Sequence, residues 1–266
     1  MQGKQNDFPW SLKGVYMIHS VEMTDIGNGR QTNQDAYLLK QREYKGRLYL
    51  LAAVCDGMGG LRRGEIASRY IIEILKQWFE ESLPAFLENG NIKDIQKELI
   101  RLIKKANSNL LLMSQGVEDA MGSTLTLLFV MDHQFFVLNV GDSRTYWFDH
   151  RRKYVTTDHT LVQLEVKAGH LSKEQARKDP RRHILIQCVG VTKDIRVDCY
   201  NGRLRPGMEF LLCTDGFYSL LEEEEIYQVD ASEEIMKIWV KRCFQKVKER
   251  GELDNLSCIL IKVPEK

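Results

Sequence analysis

The chain has 266 residues, a length that allows either two domains or one large α/β or β-sandwich unit. Apolar residues make up 43% and charged residues 28% of the sequence, so a sizeable core can form without disulfides and intrinsic disorder is excluded. The 38 basic and 37 acidic side chains leave a formal net charge of +1, which gives no support to nucleic acid or an anionic membrane as a partner.

The sequence carries no targeting or metal-binding cysteine signal. Its longest apolar run, at 48–55, is too short to cross a membrane as a helix, which takes about 20 residues. The first ten residues lack the apolar stretch of a secretory signal, so we expect a cytoplasmic location. The six cysteines show no CxxC or Cys/His spacing and are interpreted as reduced core residues.

Short apolar and β-branched runs predict three strands at the start of the chain, at 15–23, 36–41 and 47–55. The dipeptide Lys45-Gly46 lies between the second and third runs and indicates a hairpin. Two amphipathic helices are predicted next, because apolar side chains recur every three or four residues. Their apolar stripes comprise Ile66, Tyr70, Ile74, Leu75 and Trp78 in the first helix, and Ile92, Ile95, Leu99, Leu102, Ala106 and Leu110 in the second.

The middle of the chain combines strand-like runs with one polar segment. Runs at 123–131, 134–140 and 144–149 predict three strands, and their short connections favour an antiparallel meander. Residues 157–190 are polar and charged with one short amphipathic helix, which indicates a surface insertion.

The last part of the chain predicts a strand at 209–214, a helix and a final strand at 257–263. The helix is indicated by apolar side chains at strict i, i+4 spacing: Ile235, Trp239, Cys243 and Val247. This mixed order of strands and helices is typical of two stacked sheets covered by helices on their outer faces, an α+β fold.

Five aspartates stand at the ends of predicted strands: Asp35, Asp56, Asp142, Asp215 and Asp254. Asp-Gly and Asp-Asn dipeptides are common in turns, so each aspartate taken alone is explained as a turn residue. A sandwich, however, could bring several strand ends together at one rim. The shared position of these carboxylates therefore indicates a candidate site.

The surroundings of Asp56 favour a hard cation. Gly59 and Gly60 allow the backbone to approach a ligand closely, and Gly57 could present its carbonyl oxygen. Oxygen ligands without nearby histidine or cysteine suit Mg²⁺ or Mn²⁺. Arg30, just upstream of one of these aspartates, suits a phosphoryl dianion because a guanidinium donates two parallel hydrogen bonds. A surface ion pair is an equally good interpretation of Arg30.

Together these residues resemble the metal-dependent protein serine/threonine phosphatases of the PPM, or protein phosphatase 2C, type in their short bacterial form. The resemblance covers nearly the whole chain. It rests on DIGNGRQTNQD (25–35), VCDGMGGLRRGEIAS (54–68), MGSTLTLLFV (121–130), VGDSRTYWF (140–148), TTDHTLVQ (156–163), LLCTDGFYSLL (211–221) and DNLSCILIKV (254–263). It implies a four-layer α/β/β/α sandwich of two mainly antiparallel sheets flanked by helices. One domain would then span 1–266, with a flap-like insertion at about 157–190.

The resemblance also assigns metal ligands to positions in this sequence. Asp56 corresponds to the carboxylate that bridges two metal ions, and the Gly57 carbonyl would bind one of them. Asp215 and Asp254 would complete the coordination of the first ion, and Asp35 would act through a water molecule.

Further roles follow for the phosphoryl group and a third ion. Arg30 would bind the phosphate, and Asp142 would help to hold a third metal. The implied cofactors are thus two to three Mn²⁺ or Mg²⁺ ions, and a hydroxide bridging two of them would attack phosphoserine or phosphothreonine. Met58 stands where many eukaryotic relatives carry a histidine proposed as the general acid, so the proton donor to the leaving group stays open.

The implied partners are phosphorylated proteins, the substrates of a bacterial serine/threonine kinase. We expect no nucleic-acid partner and no membrane span, and we expect the chain to be a monomer. An alternative is a non-catalytic regulatory module that recognises phosphoproteins on the same fold. A third possibility keeps the chemistry but acts on phosphotyrosine or a small phosphoester. Arg62, Arg63, Arg181 and Arg182 form either a basic rim that attracts phosphorylated substrates or scattered surface charge.

Overall fold

The computed structural model describes residues 18–58, 63–88, 90–115, 120–149, 152–226 and 232–265. Part of the predicted first strand, at 15–17, lies outside the described residues. So do Gly59, Gly60 and Arg62 of the glycine-rich segment.

The strands form two antiparallel sheets. One sheet has the order β1-β11-β10-β7-β8, and the other has the order β2-β3-β5-β6-β9, with β4 paired to β3. The strands are β1 (His19–Asp25), β2 (Asp35–Tyr44), β3 (Arg47–Met58), β4 (Gly122–Ser123), β5 (Leu125–Met131), β6 (Gln134–Val140), β7 (Arg144–Asp149), β8 (Arg152–Val155), β9 (Asp198–Arg203), β10 (Glu209–Cys213) and β11 (Leu256–Lys262).

Seven α-helices are formed by the described residues: α1 (Gly64–Gln77), α2 (Ile92–Met113), α3 (Leu161–Lys167), α4 (Lys173–Lys178), α5 (Asp215–Tyr218), α6 (Glu223–Ile226) and α7 (Glu233–Glu249). A π-helical turn at Trp78–Ser82 and a 3₁₀ turn at Leu83–Phe86 continue α1, and a second 3₁₀ turn spans Pro180–His183. None of these described helices is long and apolar enough to cross a membrane.

Three buried clusters correspond to the three interfaces of a four-layer structure. Because side chains alternate along a strand, Leu51 of β3 packs with Ile71 and Leu99 of α1 and α2, whereas Leu50 packs between the sheets. The third cluster joins the outer face of the other sheet to α5 and α7, for example through Phe217. The predicted α+β sandwich of two antiparallel sheets with flanking helices is confirmed.

The hairpin predicted at Lys45-Gly46 is confirmed. β2 pairs with β3 up to Tyr44 and Arg47, so the connection has two residues. Both adopt positive φ angles, 51° and 72°, as the tight turn that matches the twist of two strands requires.

The predicted meander is wrong. β5 and β6 do pair, but β7 pairs with β8 and β10 in the opposite sheet. The chain changes sheets at Gly141, which has a φ angle of 101° and lies against the side chain of Thr124. Short apolar runs identify strands but do not specify their partners, which is why the sequence suggested the nearest neighbours.

The predicted helices are present. In α1 and α7, however, the buried face is rotated relative to the apolar stripe predicted from the sequence. Ile66 and Ile235 are 42% and 52% exposed, while Ala67 and Met236, each one residue later, are buried. The insertion contains two short α-helices, α3 and α4, rather than one. The strand β9 was missed because its sequence, DCYNGR, is polar and lies at a sheet edge.

Candidate active site

Strand topology brings the start of β2 and the end of β3 together at one rim of their sheet. Asp35 is the first residue of β2, and Asp56 lies close to the end of β3. Because the two strands run antiparallel, these residues are direct partners in the register. The neighbouring backbone closes tightly around them, since Gly57 donates its N–H to the Gln34 carbonyl at 3.1 Å.

The sheet that contains β7, β10 and β11 contributes to the same rim. β10 ends where β11 and β7 begin, with Cys213 opposite both Cys258 and Arg144. Asp215 follows β10, and the other two candidate aspartates precede the strands that flank it: Asp142 before β7 and Asp254 before β11.

Side-chain hydrogen bonds join the two sheets at this rim. The Thr214 hydroxyl donates to Asp35 Oδ2 at 3.0 Å. The backbone N–H of Gln34 donates to Asn255 Oδ1 at 2.8 Å, and the hydroxyls of Thr124 and Ser143 lie 2.6 Å apart. These contacts fix the position of the aspartates of one sheet relative to those of the other.

The aspartates are close enough to perturb one another electrostatically. Burial, together with the charges of Asp215 and Asp254, raises the pKa of Asp35 to about 7. Burial also raises the pKa of Asp56 well above its usual range, and all four other candidate aspartates add to this effect. For Asp142 the main causes of a raised pKa are burial and the charge of Asp215. The rim therefore concentrates negative charge without enough cationic charge to balance it.

Two oxygen atoms of this cluster lack a partner. Asp35 Oδ1 and Asp215 Oδ1 are buried and receive no hydrogen bond from the described residues. Because buried polar groups are normally satisfied, such oxygens are suited to bind a cation. An all-oxygen donor set fits Mg²⁺ or Mn²⁺. However, within the part of the chain that the structure describes, no three His, Cys, Asp or Glu side chains are already arranged around a metal position.

Two of the expected ligands instead contact basic side chains. The Arg30 guanidinium forms a bidentate ion pair with Asp254, with N···O distances of 2.8 and 2.6 Å. His183 Nδ1 lies 3.6 Å from Asp215 Oδ2. Arg30 thus lies at the rim, where its partner is the carboxylate of Asp254.

Glycine is required at two crowded positions beside the candidate aspartates. A Cβ atom at position 57 would lie 2.2 Å from the Gly64 carbonyl oxygen, and one at position 216 would lie 2.1 Å from the Asn255 carbonyl oxygen. The second contact sets α5 directly against the segment before β11. The glycines of the two Asp-Gly dipeptides therefore allow the backbones to pack closely beside Asp56 and Asp215.

Asp142 is positioned by aromatic and ionic contacts. The Tyr218 hydroxyl donates to the Asp142 carbonyl at 2.9 Å. The Arg144 guanidinium lies 3.8 Å from the centre of the Tyr218 ring and forms a bidentate pair with Asp158, at 2.8 and 2.7 Å. This chain of contacts connects β7, α5 and the segment after β8.

Several rim residues were missed by the sequence analysis. Thr214 and Asn255 adjoin predicted ligands in TDG and DN, so a search of the neighbours of each aspartate could have found them. No local signal marks His183, which lies in the insertion. His159, by contrast, is 2% exposed and its Nδ1 accepts the Gly141 N–H at 3.2 Å, which indicates a structural role.

Sequence comparisons place this arrangement among known proteins. Residues 27–260 match the family model for Protein phosphatase 2C. The serine/threonine phosphatase stp of Listeria monocytogenes is 28% identical over 247 residues, which cover 92% of this chain and 95% of that protein. The protein phosphatase PhpP of Streptococcus pneumoniae is 28% identical over 246 residues, with coverage of 91% and 96%.

Solved structures show the same fold. The serine/threonine phosphatase Stp1 from Staphylococcus aureus superposes with a TM-score of 0.79 at 25% identity, with 99% of each chain covered. The catalytic domain of the phosphatase PstP, solved in complex with two manganese ions, has a TM-score of 0.70 at 23% identity, with coverage of 93% and 98%.

Proposed function

The chain belongs to the protein phosphatase 2C family, whose members are protein serine/threonine phosphatases, and we propose that it uses divalent cations to hydrolyse phosphoserine and phosphothreonine in proteins. The observation that supports this most is the convergence of five aspartates from two sheets on one rim, where the pKa values of Asp35, Asp56 and Asp142 are raised and two carboxylate oxygens are unpartnered. Bound cations would neutralise the clustered carboxylates and supply partners for the two oxygens.

We assign the cations to the residues expected from the sequence. Asp56, Asp215 and Asp254 would bind directly, with the Gly57 carbonyl, and Asp35 would bind through water. Asp142 would hold a third ion. Mn²⁺ or Mg²⁺ bound there would supply an activated water nucleophile and neutralise phosphoryl charge. The two-manganese complex of PstP supports two ions as the basic set.

Arg30 supplies the phosphate contact in this proposal. Its planar guanidinium already makes two parallel hydrogen bonds to a carboxylate, Asp254, and a phosphoryl group offers the same pair of acceptors. A cation held by Asp254 would weaken the ion pair and leave the Arg30 guanidinium available to the substrate. Met58 has no proton to donate, so the leaving oxygen must be protonated by another group.

The substrates are phosphoesters made by a kinase, because phosphoserine and phosphothreonine arise by phosphoryl transfer to hydroxyl groups. We therefore propose that the protein opposes a serine/threonine kinase. The cytoplasmic location and the monomeric state stay predictions from the sequence.

The test is hydrolysis of p-nitrophenyl phosphate and of a phosphoserine peptide by the purified chain. We expect turnover with Mn²⁺ or Mg²⁺ and none after extended EDTA treatment. Asp56→Asn should abolish turnover, whereas Asp132→Asn, the same change at a β5–β6 turn, should retain it. Full activity in EDTA would refute the proposal. No tight binding of divalent cations, together with no turnover, would favour the non-catalytic module.

A further inference from the structure

A cleft of about 810 Å³ adjoins the candidate active site. It lies between the insertion, which contributes α4 and the 3₁₀ turn at Pro180–His183, and the segment that follows α5. Four cationic side chains line it against two acidic ones: Arg177, Lys178, Arg182 and Arg250 against Glu174 and Glu222. In a chain of nearly balanced charge, this cleft is locally basic.

Two of the four cations form the walls of the cleft. Arg177 donates to Glu222 Oε2 at 2.8 Å and to the Leu221 carbonyl at 3.0 Å, and so ties the insertion to the segment after α5. Arg250 donates to the Leu220 carbonyl at 2.6 Å and also pairs with Glu225. Both guanidinium groups are therefore already paired with acceptors of the protein.

The other two cations are available to a ligand. Among the described residues, the Arg182 guanidinium makes no hydrogen bond or ion pair, and its side chain is exposed. Lys178 pairs only with Glu174, one helical turn away, and the two side chains are 76% and 79% exposed. Such exposed pairs contribute little and exchange readily with another anion.

The cleft lies a short peptide length from the rim. Arg182 directly precedes His183, whose Nδ1 is 3.6 Å from Asp215 Oδ2. On the other wall, Ser219 donates its N–H to the Asp215 carbonyl at 2.8 Å, so it lies one helical turn, about 5 Å, from that residue. An extended peptide advances about 3.3 Å per residue. The wall at Ser219 is thus about two extended residues from Asp215, and the lining of the cleft continues from there to Lys178. We therefore place the second to fourth neighbouring residue of a substrate bound at the rim in the cleft.

Resting on the proposed function, we propose that this cleft is a substrate subsite for an anionic side chain. It binds a carboxylate or a second phosphoryl group two to four residues from the phosphoserine or phosphothreonine that is hydrolysed. Arg182 and Lys178 are its specificity-determining residues, because arginine and lysine recognise both kinds of anion. The substrates are thus acidic or multiply phosphorylated segments.

The test compares phosphoserine peptides that carry aspartate, a second phosphoserine or glutamine at the second to fourth positions on either side. With Mn²⁺, wild-type kcat/KM should be about three- to tenfold higher for the anionic peptides than for the glutamine peptide, and this ratio should shrink as salt is added. The aspartate and phosphoserine peptides distinguish the two sources of the anion.

The double variant Lys178→Gln/Arg182→Gln should bring the ratio close to one and leave p-nitrophenyl phosphate hydrolysis unchanged, since that substrate does not reach the cleft. The matched control is Lys97→Gln/Arg101→Gln, which removes two exposed cations at the same spacing on α2 and should keep the ratio. A preference for anionic peptides that survives the first double variant would overturn the proposal. So would equal rates for all peptides in the wild type.

A second readout separates this inference from the proposed function. Fluorescence anisotropy with labelled peptides in EDTA measures binding without turnover. The wild type should bind the anionic peptides more tightly than the glutamine peptide, and the Lys178/Arg182 variant should lose this difference. If no phosphoester is hydrolysed, the proposed function fails, but the anisotropy measurement still shows whether the cleft binds anionic peptides preferentially. If p-nitrophenyl phosphate is hydrolysed but no anionic preference is found by either measurement, only the cleft assignment fails.

Discussion

Replacing Asp35 by asparagine should stabilise the metal-free protein, although it alters the candidate active site. Asp35 is 8% exposed and its Oδ1 has no partner, while its Oδ2 accepts from Thr214. Asparagine keeps an acceptor for Thr214 and presents an N–H group to the surrounding carboxylates. The substitution therefore removes a buried negative charge at almost constant side-chain volume.

The magnitude follows from the pKa of Asp35, which burial and the neighbouring aspartates raise from 3.8 to about 7. Between these values the folded state binds a proton that the unfolded state has released, so wild-type stability falls as pH rises. At about 1.36 kcal/mol per pKa unit, the loss approaches roughly 4 kcal/mol near pH 8 and is less than half of that near pH 5. Below the unfolded pKa the loss disappears.

The assay is urea and thermal unfolding in EDTA near pH 5 and pH 8. We expect Asp35→Asn to raise the free energy of unfolding at the higher pH by up to about 4 kcal/mol, and Tm by at least about 3 °C. The control Asp132→Asn loses an ion pair with Arg47 and should show no such gain at either pH. An Asp35→Asn protein that is equally or less stable than wild type near pH 8 would refute the reasoning.

Three further substitutions test other parts of the rim. Arg30→Ala should raise KM for a phosphopeptide about ten- to hundredfold, since a charge-assisted contact contributes about 1.5–3 kcal/mol, and steady-state kinetics with unchanged KM would contradict its phosphate role. Gly216→Ala should lower the free energy of unfolding by about 1–3 kcal/mol or more, because its Cβ would lie 2.1 Å from the Asn255 carbonyl oxygen; unchanged urea unfolding would refute this. Arg144→Met should cost about 3 kcal/mol in the same assay by leaving the Asp158 carboxylate unpaired, and the added change Asp158→Leu should recover much of this loss.

Sequence patterns identified the parts of the fold that depend on local burial. The runs that became β3, β5, β6 and β11 are apolar because both faces of these strands are covered, which leaves a signal in the sequence itself. The Lys45-Gly46 turn could be predicted equally well, because its two positive φ angles restrict which residues fit. β9 left no such signal, since a polar edge strand is specified by its pairing with β6.

For the candidate site, the sequence by itself determined which aspartates stand at strand ends and which family the motifs resemble. Tertiary structure decided that β7 crosses to the opposite sheet, that Arg30 pairs with Asp254, and that Arg182 faces a basic cleft beside the rim. These features join residues far apart in the chain. Local periodicity records how deeply a side chain is buried, whereas the identity of its neighbour depends on how separate strands and loops pack together.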